Sequence, residues 1–169
     1  MHILVTTAGV LPPEPVADFV EALTRSGGEA TVMNVVQTPP EFLQELGAGD
    51  WRPFGSSDGT VIDPQANSEA RRYVQERGEK MVAPVVAALK RRNINPETVF
   101  VESDDVADAI VSTSESLGAD AIVMGATRRL FTESAWTSIS MKVSTASRVP
   151  VLLIPSPPKR PMPAGKQGI

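Results

Sequence analysis

The sequence predicts an α/β protein: a single open, doubly wound sheet of five parallel strands with helices on both faces. Short apolar, strand-like runs alternate along the chain with stretches whose apolar residues recur at helical spacing, which is the pattern of a parallel sheet covered on two sides. The run Ala121–Met124 is continuously apolar rather than alternating, as a strand buried on both faces requires. Turn and cap residues fall between the runs where such a chain has to change direction.

The first strand is predicted over His2–Thr7, followed by a loop with Gly9, Pro12 and Pro13. Residues 14–26 form the first helix, with Val16, Phe19, Val20 and Leu23 on one face, and Gly27-Gly28 stops it. Thr31–Val36 is the second strand. Residues 37–63 make a long connection rich in Gly, Pro, Ser and Asp, with room for one helical turn at Glu41–Leu46. Connections of this length in a compact domain are usually functional or mobile, and Trp51 and Phe54 within it are large aromatics that need something to pack on, a pocket or a partner chain. Asp63-Pro64 opens the longest helix with a capping carboxylate and a first-turn proline. That helix runs to about Arg92 with Pro84 kinking it, and Ala70, Val74, Met81, Val85 and Leu89 form its apolar side.

Thr98–Glu102 is the third strand. Asp104-Asp105 caps a helix carrying Val106, Ala109, Ile110 and Leu117, closed by Gly118; a metal site at this acidic pair is the minor alternative to capping. Ala121–Met124 is the fourth strand, ended by Gly125 where the backbone turns, and Val149–Ile154 is the fifth. Residues 156–169 hold repeated prolines with Lys159, Arg160 and Lys166 and little to bury, so composition predicts a disordered tail after a folded unit of 1–155.

Composition removes several functions. A net charge of −4 gives no general attraction to nucleic acid. The absence of cysteine excludes disulfides and thiolate metal sites, and the single histidine, His2, excludes a multi-histidine centre. No stretch approaches the roughly 20 apolar residues of a membrane span, and Met1-His2-Ile3-Leu4-Val5 lacks the charged start of a signal peptide. A cytoplasmic protein is expected.

The most informative stretch is 119–154: Ala-Asp-Ala-Ile-Val-Met-Gly-Ala-Thr-Arg-Arg, then Ser-Ile-Ser-Met-Lys-Val, then Val-Pro-Val-Leu-Leu-Ile-Pro. It reads as a strand, a phosphate-sized loop, a helix start with hydroxyls beside free N–H groups, and a last strand. This arrangement resembles the closing part of the universal stress protein family. Glu102-Ser103-Asp104-Asp105-Val106-Ala107-Asp108-Ala109-Ile110 and Gly118-Ala119-Asp120 also look like the family's run from third to fourth strand.

The resemblance implies a site and the ways in which this chain departs from it. In the family a loop of Gly, two residues, Gly, nine residues, Gly, then Ser or Thr wraps the ribose and phosphates of ATP. Gly125 stands in the first position here, Arg128 replaces the second glycine, and Thr137 the third, with the loop one residue short. The Asp that normally ends the family's first strand is matched by Ala8, which removes a carboxylate acceptor. Val36 and Met124 match apolar positions around adenine and ribose, though any core would also use them. The candidate nucleotide wall is thus Thr6, Thr7, Ala8, Val36, Met124 and Gly125, continued by Thr127, Arg128 and Arg129 and by Thr137, Ser138, Ile139 and Ser140. The arginines either clamp phosphate by their side chains or form a solvated basic loop, and Ser138 either touches ligand or caps a helix.

Three functions follow. The first is a regulatory stress-response module that is dimeric, non-catalytic and without standard ATP binding, acting on a protein partner. The second is an adenine-nucleotide sensor reading ATP, AMP or cyclic AMP, for which a one-phosphate ligand suits the shortened loop best. The third is a slow nucleotide hydrolase, which needs a general base near the phosphates; Glu133 is the only carboxylate in the loop. The resemblance further implies a homodimer through the last strand, Val151, Leu152, Leu153 and Ile154. No metal, nucleic acid or membrane partner is expected.

Overall fold

Each apolar run becomes a strand, and the crossovers sort the helices onto two faces. The computed structural model describes residues 1–25, 27–37, 64–126 and 138–155, with backbone alone for 64–67. In chain order the elements are β1 (His2–Thr6), α1 (Pro13–Thr24), β2 (Glu29–Val36), α2 (Pro64–Arg91), β3 (Glu97–Glu102), α3 (Val106–Ser116), β4 (Ala121–Ala126), α4 (Ile139–Ala146) and β5 (Val151–Pro155). The strands form one parallel sheet in the order β3-β2-β1-β4-β5. The predicted doubly wound sheet is therefore present, with its order reversing between β1 and β4.

Both faces of the central strands are buried, and successive residues serve opposite cores. Ile3 and Val5 of β1, Val32 of β2 and Val123 of β4 pack with Val16 and Val20 of α1 and Val85 and Leu89 of α2. Leu4, Met33 and Ile122 face the other way, onto Ile110 of α3 and Val143 of α4. Where α1 crosses α2, Arg91 pairs with Glu14, and Arg92 pairs with Glu14 at 2.9 Å and Asp18 at 2.5 Å. The side-chain bond from Arg91, then that from Arg92, holds the Glu14 carboxyl below its usual range.

Several boundaries differ from expectation for identifiable reasons. β4 does not end at Met124; it continues through Gly125 to Ala126 because those residues pair with Ile154 and Pro155 of β5. Gly125 is thus a strand residue and not a turn. β5 starts at Val151 instead of Val149, because Val149 is held in a turn, its N–H donating to Ser147 Oγ at 3.1 Å while that hydroxyl donates to the Val149 carbonyl at 2.9 Å. The cap of α3 is Asp105 alone: its Oδ1 accepts from the N–H groups of Ala107 and Asp108, both at 3.1 Å. Asp104 precedes the cap, and its backbone carbonyl takes a 3.3 Å bond from Gln37 Nε2. Gly118, at φ +60°, closes α3 as expected. Pro84 lies inside α2, which continues past it to Arg91. The helical turn expected at Glu41–Leu46, the aromatics Trp51 and Phe54, the cap Asp63 and the tail 156–169 lie outside the described residues.

Candidate functional site

At the β1/β4 reversal the chain leaves neighbouring strands toward opposite faces, which opens a crevice beyond their carboxyl ends. A cavity of about 200 Å³ lies there, lined by Thr6, Thr7 and Ala8 from β1 and its turn and by Met124 and Gly125 from β4. Ile139 and Ser140 of α4 close one side. Asn34 and Val35 of β2, Val106 and Ile110 of α3, and Val10 and Leu11 complete it. Larger cavities, about 440 Å³ beside Val74 and Phe100 and about 410 Å³ beside His2 and Thr31, lie away from the reversal. The smaller one is preferred as the site because topology, not size, converges hydroxyls, an amide and apolar walls on it.

The turn after β1 is built to hold Thr7 still. Its N–H donates to the Met33 carbonyl at 3.0 Å, its Oγ1 accepts from the Gly9 N–H at 3.0 Å, and its carbonyl accepts from Asn34 Nδ2 at 2.7 Å. Gly9 sits at φ +84°, where side chains are disfavoured, and a Cβ there would lie 2.8 Å from Met81 Sδ. Ala8 is left exposed at the apex of this turn, with a methyl group where the family resemblance places a carboxylate.

The opposite wall is a helix start. Ser138 is the N-cap of α4, with φ −68° and ψ 146°, and its Oγ accepts from the Met141 N–H at 3.3 Å. The Ser138 and Ser140 hydroxyls are 3.2 Å apart, and Ser140 is buried. Ser138 therefore caps the helix in this structure, with its neighbour Ser140 facing the cavity. No charged side chain lines the described part of the cavity. Among the described residues no cluster of His, Asp and Glu could hold a metal ion, and no helix is long and apolar enough to cross a membrane.

The structure thus brings together Thr6, Thr7, Ala8, Met124, Gly125, Ile139 and Ser140. Val36 is buried but does not reach the cavity; its neighbour Val35 does. A one-residue difference in a strand moves a side chain to the other face. Thr127, Arg128, Arg129 and Thr137 lie outside the described residues. Asn34, Val35, Val10, Leu11, Val106 and Ile110 were not expected at the site. Asn34 carried a usable signal, as the one amide inside the apolar run Thr31–Val36. The others are apolar and look like core in any sequence.

Residues 1–155 match the model of the Universal stress protein family. Among solved structures, hypothetical protein MJ0577 superposes with a TM-score of 0.61 at 18% identity, over 91% of this chain and 94% of that one. A universal stress protein family member from Burkholderia pseudomallei has a TM-score of 0.54 at 24% identity, over 91% and 95%. A family protein from Arabidopsis thaliana with AMP bound has a TM-score of 0.55 at 11% identity, over 94% and 93%. These identities establish a common fold and no more. No curated protein matches the sequence.

Proposed function

This chain belongs to the universal stress protein family, and on that premise we propose that it is a non-catalytic, dimeric regulatory module of the stress response that does not bind ATP in the standard way. One observation carries the reading: the described lining of the cleft is uncharged, with Ala8 at the turn where the family resemblance expects an Asp. A ribose held by a carboxylate finds no counterpart for that bond among the described lining residues, a loss of about 1.5–3 kcal/mol for a bond to a charged group. The volume points the same way. About 200 Å³ falls short of the roughly 300–1,000 Å³ of pockets that enclose whole small-molecule ligands.

Output then passes through protein contacts. The outer edge of β5 is the surface we assign to the second subunit. Val151, Leu152 and Leu153 are only half-buried in the single chain, and an unpaired edge strand of this composition is a template for another. A protein partner in the cytoplasm would read the dimer.

A second reading, a sensor for an adenine nucleotide with a single phosphate, has one specific support. Ser140 and the start of α4 face the cavity, and a helix N-terminus with nearby hydroxyls suits an anion. The similarly folded Arabidopsis protein was solved with AMP. In this reading Thr127, Arg128, Arg129 and Thr137 supply the remaining phosphate contacts.

Thermal unfolding against ATP with magnesium, ADP, AMP, cyclic AMP and GTP separates the two. A ligand at 100 times its Kd stabilises by about 2.7 kcal/mol. No shift with any nucleotide supports the first reading. A shift confined to AMP or cyclic AMP replaces it with the second, and a shift with ATP and magnesium overturns it.

A further inference from the structure

The starts of the strands carry a second cavity, of about 410 Å³, at the end of the sheet away from the cleft. Its size is that of pockets which enclose small ligands. His2 of β1, Glu29 and Thr31 of β2 and Glu97 of β3 line it. Register puts these four on one face of the sheet, since His2 pairs with Glu29, Thr31 pairs with Glu97, and Glu29 and Thr31 are two residues apart. Thr31 is the floor. It is 1% exposed, and its hydroxyl meets His2 Nε2 at 2.8 Å. A hydroxyl donates one bond and accepts two, so in either tautomer of His2 the Thr31 oxygen keeps an acceptor site for a ligand at the buried end of the cavity.

Charge selects the class of ligand. Among the described residues neither Glu29 nor Glu97 forms an ion pair, and no Lys or Arg lines the cavity. Two helices also end here: Thr24, the last residue of α1, and Asn93, just past α2, stand in the wall. A helix C-terminus is the negative end of its macrodipole. Arg91 and Arg92 at the end of α2 are paired with Glu14 and Asp18 of α1 instead. Spacing narrows the class further. Glu29 and Glu97 are offset by two residues along the strands and one strand across, which puts their Cα atoms about 8 Å apart. A metal ion gathers its oxygen ligands within about 2.5 Å of one point, whereas two ammonium groups joined by a short aliphatic chain match carboxylates that stand apart. Ala30 and Ile94 supply apolar wall between them.

We propose that this cavity binds a linear aliphatic diamine or triamine. One ammonium pairs with Glu29 and another with Glu97, the methylenes lie along Ile94, and an ammonium N–H donates to the Thr31 hydroxyl. A four-carbon diamine spans about 6 Å between its nitrogens from ordinary bond lengths, within reach of both flexible glutamates.

Titration calorimetry of the full chain against 1,4-diaminobutane and spermidine tests this, with 1,4-butanediol as the uncharged counterpart. Both amines should bind saturably and the diol should not. Glu29→Gln and Glu97→Gln, at exposed positions, should each raise Kd about tenfold, and high salt should raise it as well. In two-dimensional NMR the amide signals of His2, Thr31, Asn93 and Glu97 should move with either amine, while those of Thr7 and Ser140 in the cleft stay in place. Absence of saturable binding by both amines would overturn the proposal. So would unchanged binding in a variant carrying both Glu29→Gln and Glu97→Gln, or equal binding of the diol. Signals that move around Glu14, Asp18 and Asp108 instead would overturn it by marking a general attraction to acidic surface. The cleft takes no part in this readout, so its failure and a failure of the proposed function are separate results.

Discussion

The side-chain amide of Asn34 donates to the Thr7 carbonyl at 2.7 Å, tying the middle of β2 to the turn that leaves β1. Asn34 is 3% exposed and the bond is buried. It fixes the floor of the cleft and satisfies the Thr7 carbonyl at the end of β1. Asn34→Ala should cost about 1–3 kcal/mol of unfolding free energy, because it leaves a buried acceptor unpaired. Asn34→Asp should cost more, since it places a carboxylate against a carbonyl oxygen in a buried position. Urea unfolding of the two variants checks both the size and the order.

Two glycines of the cleft should behave oppositely. Gly9→Ala forces a side chain into φ +84° and against Met81 Sδ, and should lose about 1–3 kcal/mol. Gly125 lies in extended β4, and a Cβ there would rest 3.6 Å from Leu11 Cδ1, an ordinary contact. Gly125→Ala should therefore leave the unfolding midpoint nearly unchanged. A large loss there would mean that the position is needed for more than a strand.

How far the sequence could be read follows from which forces act locally. Strand and helix identities are set by runs and periods, so all five strands and four helices named in advance are present. Ends are set by neighbours instead. Gly125 reads as a turn until Ile154 is seen beside it, and Val149 reads as strand until Ser147 is seen to hold it in a turn. Val35 lines the cavity where Val36 was named; both are apolar, and only the register against β1 and β3 decides which side each faces. Ala8, Met124 and Ser140, named through the family resemblance, meet around one cavity, since topology puts strand ends and a helix start together whatever their chemistry.

The Glu14 pair with Arg91 and Arg92 should give stability a dependence on acid. Glu14 has its carboxyl lowered in the folded chain, first by the bond from Arg91 and then by that from Arg92. A lowered folded value means that the stabilisation is present above the unfolded carboxyl range and is lost as pH falls through the folded value. Arg92 is shifted upward by Asp18 and Glu14, so it stays charged throughout. The gap in unfolding midpoint between the native chain and Glu14→Gln should be constant near neutrality and shrink below about pH 4. High salt should shrink it at every pH, because the pair is exposed.

The edge of β5 offers a clean test of assembly. Ile122 N–H donates to the Pro150 carbonyl, so by the alternation of a parallel ladder Leu152 and Ile154 turn their peptide groups to β4, and Val151 and Leu153 turn theirs outward. Leu153→Pro removes an outward donor and spares the inner ladder. In sedimentation at micromolar concentration the native chain should run as a dimer and this variant as a folded monomer. A monomeric native chain would remove the dimer from the proposed function.

Restoring the missing carboxylate asks whether Ala8 is what weakens the cleft for nucleotides. The turn is held by Thr7 and Gly9 and not by the Ala8 side chain, which is exposed, so Ala8→Asp should fold normally. A new charged acceptor beside the cavity should improve binding of AMP by about 1.5–3 kcal/mol, which is roughly ten- to a hundredfold in Kd. ATP with magnesium should gain less, because the loop that would hold its outer phosphates still carries Arg128 and Thr137 in place of glycines. Titration calorimetry of the variant against both nucleotides measures the difference. Equal and strong gains would assign the whole deficit to Ala8, whereas no gain with either would assign it to the loop.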